Sequence, residues 1–347
     1  MKREMYNAKD SGTVYVWALI LPVVVAIILS FALNGAPKDE SGYLVYKNVW
    51  FLCALQLISA LILAGIYFFY TKKNNISYKA CGIAKKPNYL MAIICVVVGI
   101  SMCFLTDKII TLIASILQST GLNIKDSLNF PLTSVGYYFL AIFIIAVLPA
   151  VTEELLYRGI VLNGLRGLGK WPAILLSALA FCLMHGNIAQ FPYTFLLGIV
   201  LGYVMFETAN LCLCIIIHFF NNATVLTQMY ISGDPNQSIP KLTDYSAADI
   251  LLAIGFFVLA VGIIILAFYL IHIIKKKQTA KEVQQNITSL EEEKQKEKKG
   301  SLFAKNEKFT KPIVEAKPLD QKQKGTDLVL LIVGYIFAIS FTIISLI

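Results

Sequence analysis

Apolar residues are gathered into long segments that alternate with short polar ones. The first segment, residues 14–33, is long enough for an α-helix that crosses the hydrocarbon core of a bilayer. Eight more follow, at residues 49–70, 89–105, 135–150, 171–184, 191–206, 211–229, 250–274 and 328–347. The pattern predicts an all-α fold, a polytopic membrane bundle of about eight or nine transmembrane helices.

Composition supports a membrane protein and excludes several other classes. Hydrophobic residues make up 57% of the chain and charged residues 15%, and the mean hydropathy is +0.70. A soluble domain does not carry so much apolar surface, and disordered or collagen-like chains contain much less of it. The seven cysteines lie mostly inside apolar segments, so we interpret them as reduced packing residues.

The basic residues predict the orientation of the bundle. The net charge is +9, but nearly all basic residues are Lys, which argues against a nucleic-acid partner. On one side of the predicted membrane the basic residues are few: Lys38, Lys47, Lys108, Lys125 and Lys241. Because cytoplasmic loops are enriched in Lys and Arg, we expect a cytoplasmic N terminus and a multi-pass protein of the cell membrane.

Three predicted spans carry polar residues that are costly at bilayer depth and therefore indicate function. The motif residues are Glu153, Glu154 and Arg158, then Phe181 and His185, then His218 and Asn222. Residues four apart share a helix face, so Glu154 can pair with Arg158 while Glu153 projects elsewhere. His218 and Asn222 likewise share a face and can present an imidazole and an amide to one atom.

These motifs resemble those of a known family. Glu-Glu-x-x-x-Arg at 153–158, Phe-x-x-x-His at 181–185 and His-x-x-x-Asn at 218–222 are similar to the signatures of the type II CAAX prenyl endopeptidase and bacteriocin-processing (CPBP) family, also called Abi or Rce1-like intramembrane proteases. The resemblance covers about residues 135–230, and it implies a membrane hydrolase that cleaves peptide bonds.

The resemblance also implies a role for each motif residue. Glu153 acts as general base on a water that it positions with His185, and His218 and Asn222 stabilise the oxyanion. The remaining pair, Glu154 and Arg158, supports the site through mutual charge neutralisation.

The sequence does not decide whether the protein uses a metal cofactor. The family is often labelled metalloprotease, and Glu153, His185 and His218 would be the ligands if a metal such as zinc were present. The compact H-E-x-x-H motif is absent from the sequence. Our slight preference is therefore a glutamate-type protease without a metal.

Membrane lipids and a membrane-bound peptide or protein are the expected partners. The resemblance implies prenylated substrates in some members and bacteriocin-like peptides in others. Two other classes remain open: a non-catalytic membrane scaffold or bacteriocin-immunity protein, and a proton-linked transporter, because ionisable residues within spans also build ion relays.

The predicted organisation has five parts. Residues 1–130 form N-terminal transmembrane helices, 131–232 the protease core, 233–274 a further helix, 275–326 a Lys- and Glu-rich cytoplasmic linker, and 327–347 a C-terminal helix. Straight helices would leave His185 and His218 at different depths. We therefore expect irregularity at Pro149 or Pro192, and a hydrated pocket that opens toward the cytoplasm.

Overall fold

The computed structural model describes residues 5–32, 49–83, 86–122, 130, 132–188, 190–233, 240–301 and 328–344. Within these ranges the chain forms long helices and no β-strand. The helices are α1 (Ala8–Ala32), α2 (Val49–Lys73), α3 (Tyr89–Ser119), α4 (Val135–Leu168), α5 (Lys170–Met184), α6 (Phe191–Thr208), α7 (Leu211–Ser232), α8 (Ala247–Ser301) and α9 (Val329–Ile344).

The predicted fold class, a helical membrane bundle, is confirmed. Seven of the described helices are long and apolar enough to cross a bilayer, while α5 and α9 are apolar but shorter. Each of these nine helices overlaps one apolar segment of the sequence. The number of helices that actually cross the membrane, and the side on which the N terminus lies, stay predictions.

The fourth apolar segment was predicted to end at residue 150, but α4 continues to Leu168. The prediction stopped where Glu153, Glu154 and Arg158 interrupt the apolar run. The helix tolerates these charges because the bundle surrounds them and two of them pair with each other. The first motif therefore lies in the middle of a helix rather than at its end.

One end of the bundle, which we call the N-terminal end, is where α1 begins and α2 ends. There Tyr70 of α2 donates a hydrogen bond to Asp10 of α1 at 2.8 Å, and Ser11 donates to the carbonyl of Val161 in α4 at 2.9 Å. At the opposite end, which we call the far end, Ser115 of α3 lies 3.3 Å from the hydroxyl of Tyr245, just before α8. Successive helices run in alternating directions between these two ends.

Two π-helical turns interrupt α4 on either side of its acidic motif. They span Ile142–Val147 and Tyr157–Leu162, and the α-helical segment Leu148–Leu156 between them carries both glutamates. Pro149 has no backbone N–H, so the carbonyl of Ile145 loses its α-helical donor. The expected irregularity is thus present at Pro149, whereas Pro192 stands in the first turn of α6 and begins that helix.

The last helix, α9, packs against the start of the chain. A Cβ added to Gly12 of α1 would lie 2.7 Å from the backbone nitrogen of Leu331, and one added to Gly334 would lie 2.6 Å from the Tyr15 ring. Tyr335 donates a hydrogen bond to the carbonyl of Leu176 in α5 at 2.6 Å. Since such close backbone approach requires glycine, α9 is docked on α1 and α5.

The predicted linker at 275–326 begins as a continuation of α8, which is helical to Ser301. The rest of that prediction, residues 302–326, lies outside the described residues.

Candidate functional site

The centre of the site is a buried ion pair within α4. Nη1 of Arg158 lies 2.8 Å from Oε1 of Glu154, and both side chains are 0% exposed. The pair forms because the two residues are one helical turn apart. Breaking such a pair leaves an uncompensated buried charge, which costs about 3–5 kcal/mol.

Two further contacts hold the Arg158 guanidinium. Its Nη2 donates a hydrogen bond to the carbonyl of Gly198 in α6 at 3.3 Å, and its Cζ lies 4.4 Å from the centre of the Phe181 ring of α5. A planar cation stacks well on an aromatic face. Arg158 therefore connects α4 to both α5 and α6.

Glu154 also orients His218, the histidine of the third motif, on α7. Its Oε1 lies 2.9 Å from Nδ1 of His218, and His218 is only 3% exposed. Because a carboxylate accepts, Nδ1 of His218 donates to it. This bond fixes the imidazole ring and directs its other nitrogen, Nε2, toward Glu153.

Glu153 has a different environment from its neighbour. Its Oε2 lies 3.9 Å from Nε2 of His218, a distance too long for a hydrogen bond. This oxygen is buried without a hydrogen-bond partner among the described residues. A buried carboxylate oxygen without a protein partner is usually satisfied by a water or another ligand.

His185 lies just after α5 and is held by that helix. Its Nδ1 is 2.9 Å from the carbonyl of Phe181, one turn earlier, so Nδ1 carries the proton and donates it. The Phe181 ring contacts both histidines, with centroid distances of 5.0 Å to His185 and 5.8 Å to His218. Straight helices would place His185 and His218 at different depths. The Phe181 ring spans that difference, because it contacts both imidazole rings.

Asn222 satisfies the irregular backbone of α4. Its Nδ2 donates to the carbonyl of Ile145 at 3.2 Å, the carbonyl whose α-helical donor position is occupied by Pro149. Its Oδ1 accepts from Nδ2 of Asn221 at 3.2 Å, and Oδ1 of Asn221 in turn accepts from the hydroxyl of Tyr193. The amide of Asn222 is thereby fixed in position, with one N–H left uncommitted by these bonds.

A cavity of about 700 Å³ brings these groups together. Four of the six predicted site residues line it: Glu153, His185, His218 and Asn222. The other two, Glu154 and Arg158, lie behind its wall and contact it only through His218 and Phe181. The structure thus divides the predicted residues into a lining group and a supporting group.

One family model matches the segment that builds most of this cavity. Residues 135–224 match a family model described as Rce1-like, type II CAAX prenyl endopeptidase. The motif resemblance is confirmed. No curated protein and no solved structure matches the chain.

The Rce1-like segment contains α4, α5, α6 and most of α7, and with them all six predicted site residues. Its family implies a protease, and together with the apolar helices it indicates a multi-pass membrane protein. The segment lies inside the predicted core at 131–232. The helices α1, α2 and α9 fall outside it, although all three contribute residues to the cavity wall.

The three residues proposed as metal ligands do not form a ligand group. Among the described residues, no set of three or more His, Cys, Asp or Glu side chains is close enough together to hold a metal ion. In particular, Glu153, His185 and His218 lie on one cavity but are not so arranged. The residues as they stand do not fit a three-ligand metal site.

The sequence prediction did not include two polar residues that line the cavity, Tyr193 and Asn221. Both line the cavity and both belong to the chain of hydrogen bonds that ends at Asn222. A signal existed for Asn221, because two consecutive asparagines in an apolar span are unusual. Tyr193 gave no such signal, since a tyrosine near the end of a span is ordinary.

Proposed function

We propose that the protein is an intramembrane endopeptidase that hydrolyses a peptide bond of a membrane-associated protein or peptide, with Glu153 as general base. The observation that carries this proposal is the unpartnered Oε2 of Glu153, on a cavity that His185 and His218 also line. The match of residues 135–224 to a protease family supports it.

Water activation follows from the hydrogen-bonding capacity of two side chains. Because Nδ1 of His185 donates to the Phe181 carbonyl, Nε2 of the neutral ring is an acceptor. A water that donates one proton to this nitrogen and the other to Glu153 has a lone pair free for attack. Glu153 takes the proton as the water attacks the carbonyl carbon, and gives it to the leaving amine.

The oxyanion is stabilised from α7. Asn222 donates one N–H to the Ile145 carbonyl, and its other N–H is available to the developing negative charge. His218 donates from Nδ1 to Glu154, so its Nε2 donates to the oxyanion when the ring is protonated.

Glu154 and Arg158 act as positioning residues. They hold His218 and the Phe181 ring but do not line the cavity. Such support for a catalytic side chain keeps the reacting geometry fixed before substrate binds.

The test is cleavage by the full-length protein and its Glu153→Gln variant in membranes. New peptide termini are labelled and identified by mass spectrometry. We expect a loss of about 10²–10⁴-fold in cleavage rate, the usual contribution of a general base. Glu292→Gln, an exposed acidic residue of α8, is the matched control and should cleave normally. Unchanged cleavage by Glu153→Gln would overturn the proposal.

The glutamate-type mechanism is tested separately by metal content and chelation. The purified protein should retain its cleavage rate after treatment with a chelator and dialysis into metal-free buffer. If the rate is lost and zinc restores it, the mechanism is metal-dependent, while the assignment as a protease stands.

A further inference from the structure

Three lysines from two helices gather at the N-terminal end of the bundle, away from the residues that line the cavity. We call Lys170, Lys275 and Lys276 the basic cluster. Lys170 begins α5, and the other two follow the apolar part of α8, which ends at Ile274. Because the ends of apolar spans lie among the lipid headgroups, the basic cluster is at headgroup depth.

Glu207, in the last turn of α6, connects the two helices of the basic cluster. Its Oε1 pairs with Nζ of Lys170, and its Oε2 lies 3.5 Å from Nδ1 of His272 in α8. Nζ of Lys170 also lies 4.1 Å from the centre of the Tyr203 ring, and that ring stacks on Phe268 of α8 at 3.7 Å. These contacts hold the start of α5 beside α8.

The basic cluster carries more positive charge than Glu207 neutralises. Lys275 and Lys276 lie three and four residues after His272, so they project from the same face of α8. Lys276 is exposed and Lys275 is half-buried, and neither belongs to an ion pair among the described residues. Lys170 has three N–H donors and a side chain that is 30% exposed. The cluster can therefore bind an anionic group.

Arg166 is close to this region but is committed elsewhere. Its Nη2 donates to the carbonyl of Met205 at 2.8 Å, and its Nη1 donates to the carbonyl of Phe206 at 3.2 Å. These are carbonyls near the end of α6, which lack donors within the helix. Arg166 thus stabilises the end of α6 and is not counted in the cluster.

Apolar side chains continue from the basic cluster into the membrane-spanning part of the bundle. Trp171 and Leu175 of α5 lie one turn apart and are 51% and 42% exposed, and Ile265 of α8 is 62% exposed. Ile265 lies two turns before His272 and shares its face of the helix. Tryptophan is typical of the membrane interface. Cationic groups above exposed apolar ones complement a phosphate group above acyl chains.

We propose that the basic cluster binds the phosphate group of an anionic phospholipid, whose acyl chains lie along Trp171 and Leu175. A lipid is favoured over soluble phosphate because these apolar side chains begin directly beside Lys170. A zwitterionic headgroup would bring its own cation next to the lysines, so the site selects an anionic headgroup. The inference goes beyond the proposed protease function and does not depend on it.

The experiment uses Trp171 as the reporter. The chain has three tryptophans, so the full-length protein with Trp17→Phe and Trp50→Phe keeps only Trp171. It is reconstituted in phosphatidylcholine vesicles in which about one-tenth of the lipid is phosphatidylglycerol with brominated acyl chains, or brominated phosphatidylcholine. Bromine quenches tryptophan fluorescence on contact, so the two quenching values give the relative binding constant of the anionic lipid. Both leaflets contain the lipid, and the orientation of the protein does not affect the result.

Two double variants of this reporter protein are compared. Lys275→Gln with Lys276→Gln removes two cations of the basic cluster. Lys72→Gln with Lys73→Gln is the matched control, because it removes two adjacent exposed lysines at the same end of the bundle, on α2.

A lysine beside an anionic lipid surface contributes about fivefold to binding. We therefore expect phosphatidylglycerol to bind to the reporter protein about tenfold more tightly than phosphatidylcholine. Lys275→Gln with Lys276→Gln should reduce this preference to about twofold or less, and the control should retain it.

Equal quenching by the two lipids in the reporter protein would overturn the proposal, and so would an equal loss of preference in both double variants. The third measurement adds an excess of inorganic phosphate, with sodium chloride at the same ionic strength as its control. A preference that phosphate abolishes and chloride does not would assign the site to soluble phosphate and overturn the lipid assignment.

Discussion

Glu153 and Glu154 are neighbours in the sequence, yet they occupy opposite environments. Glu154 is 0% exposed and shares one oxygen between Arg158 and His218. Glu153 is 14% exposed and lines the cavity, which Glu154 does not. In both carboxylates Oε2 has no hydrogen-bond partner among the described residues, but only that of Glu153 belongs to a side chain of the cavity wall. The difference follows from the helix, because adjacent residues project about 100° apart. One turn of α4 thus supplies both a structural carboxylate and a chemically available one.

The contrast shows that paired acidic residues need not do the same work. A carboxylate that pairs with a buried cation behind the cavity wall contributes to stability, and one that lines the cavity contributes to reactivity. Substitutions on the two sides of α4 should therefore separate stability from cleavage.

The largest expected effect on stability comes from Glu154→Gln. It leaves the buried charge of Arg158 unpaired, so we expect a loss of about 3–5 kcal/mol in the free energy of unfolding. Unfolding is measured by denaturant titration in detergent or bicelles. Glu153→Gln should change it little, because that carboxylate forms no ion pair with a permanently charged side chain.

The matched control is Glu154→Gln combined with Arg158→Met, which removes both charges and keeps an oxygen to accept from His218. This double variant should regain much of the lost stability. If Glu153→Gln destabilises the protein as much as Glu154→Gln, the division between the two glutamates is wrong.

A smaller loss of stability is expected from Gly198→Ala. Gly198 lies on α6, and its carbonyl accepts a hydrogen bond from Arg158, the partner of Glu154. The added Cβ would lie 2.8 Å from both Cα and Cβ of Ala178, which forces α5 and α6 apart and displaces the carbonyl that accepts from Arg158. Overpacking of this kind costs about 1–3 kcal/mol. Thermal unfolding measures it. Adding Ala178→Gly removes one of the two contacts and should restore part of the stability, and no restoration would contradict the packing explanation.

The smallest effect, a modest fall in kcat, is expected from Tyr193→Phe. Tyr193 lines the cavity. The substitution removes the hydroxyl that holds Asn221, and through it Asn222. A single hydrogen bond contributes about 0.5–1.5 kcal/mol, so we expect kcat to fall by about twofold to tenfold while KM and the unfolding temperature stay nearly constant. A rise in KM at constant kcat would instead indicate that Tyr193 binds substrate.

Much of the fold could be predicted from the sequence, because bilayer length and apolar composition constrain each helix. The starting residues of α2, α3 and α6 agree with the apolar segments at 49, 89 and 191. The extension of α4 past residue 150 could not be predicted from hydropathy. It depends on the pairing of Glu154 with Arg158 inside the bundle, which is a tertiary contact.

The site was predictable as a set of residues but less so as an arrangement. The pairing of Glu154 with Arg158 follows from helical spacing and is present. The bond from His218 to Glu154 joins residues 64 positions apart, and no local pattern indicates it.

The docking of α9 has a consequence for the timing of activity. This helix follows every motif residue in the chain and is joined to α8 through the long Lys- and Glu-rich stretch, yet Phe337 and Ala338 complete the cavity wall. A nascent protein that has already inserted all its motif residues still lacks the part of the cavity wall that α9 provides. We therefore expect the cavity to gain its complete wall only after α9 has been translated and has packed beside α1.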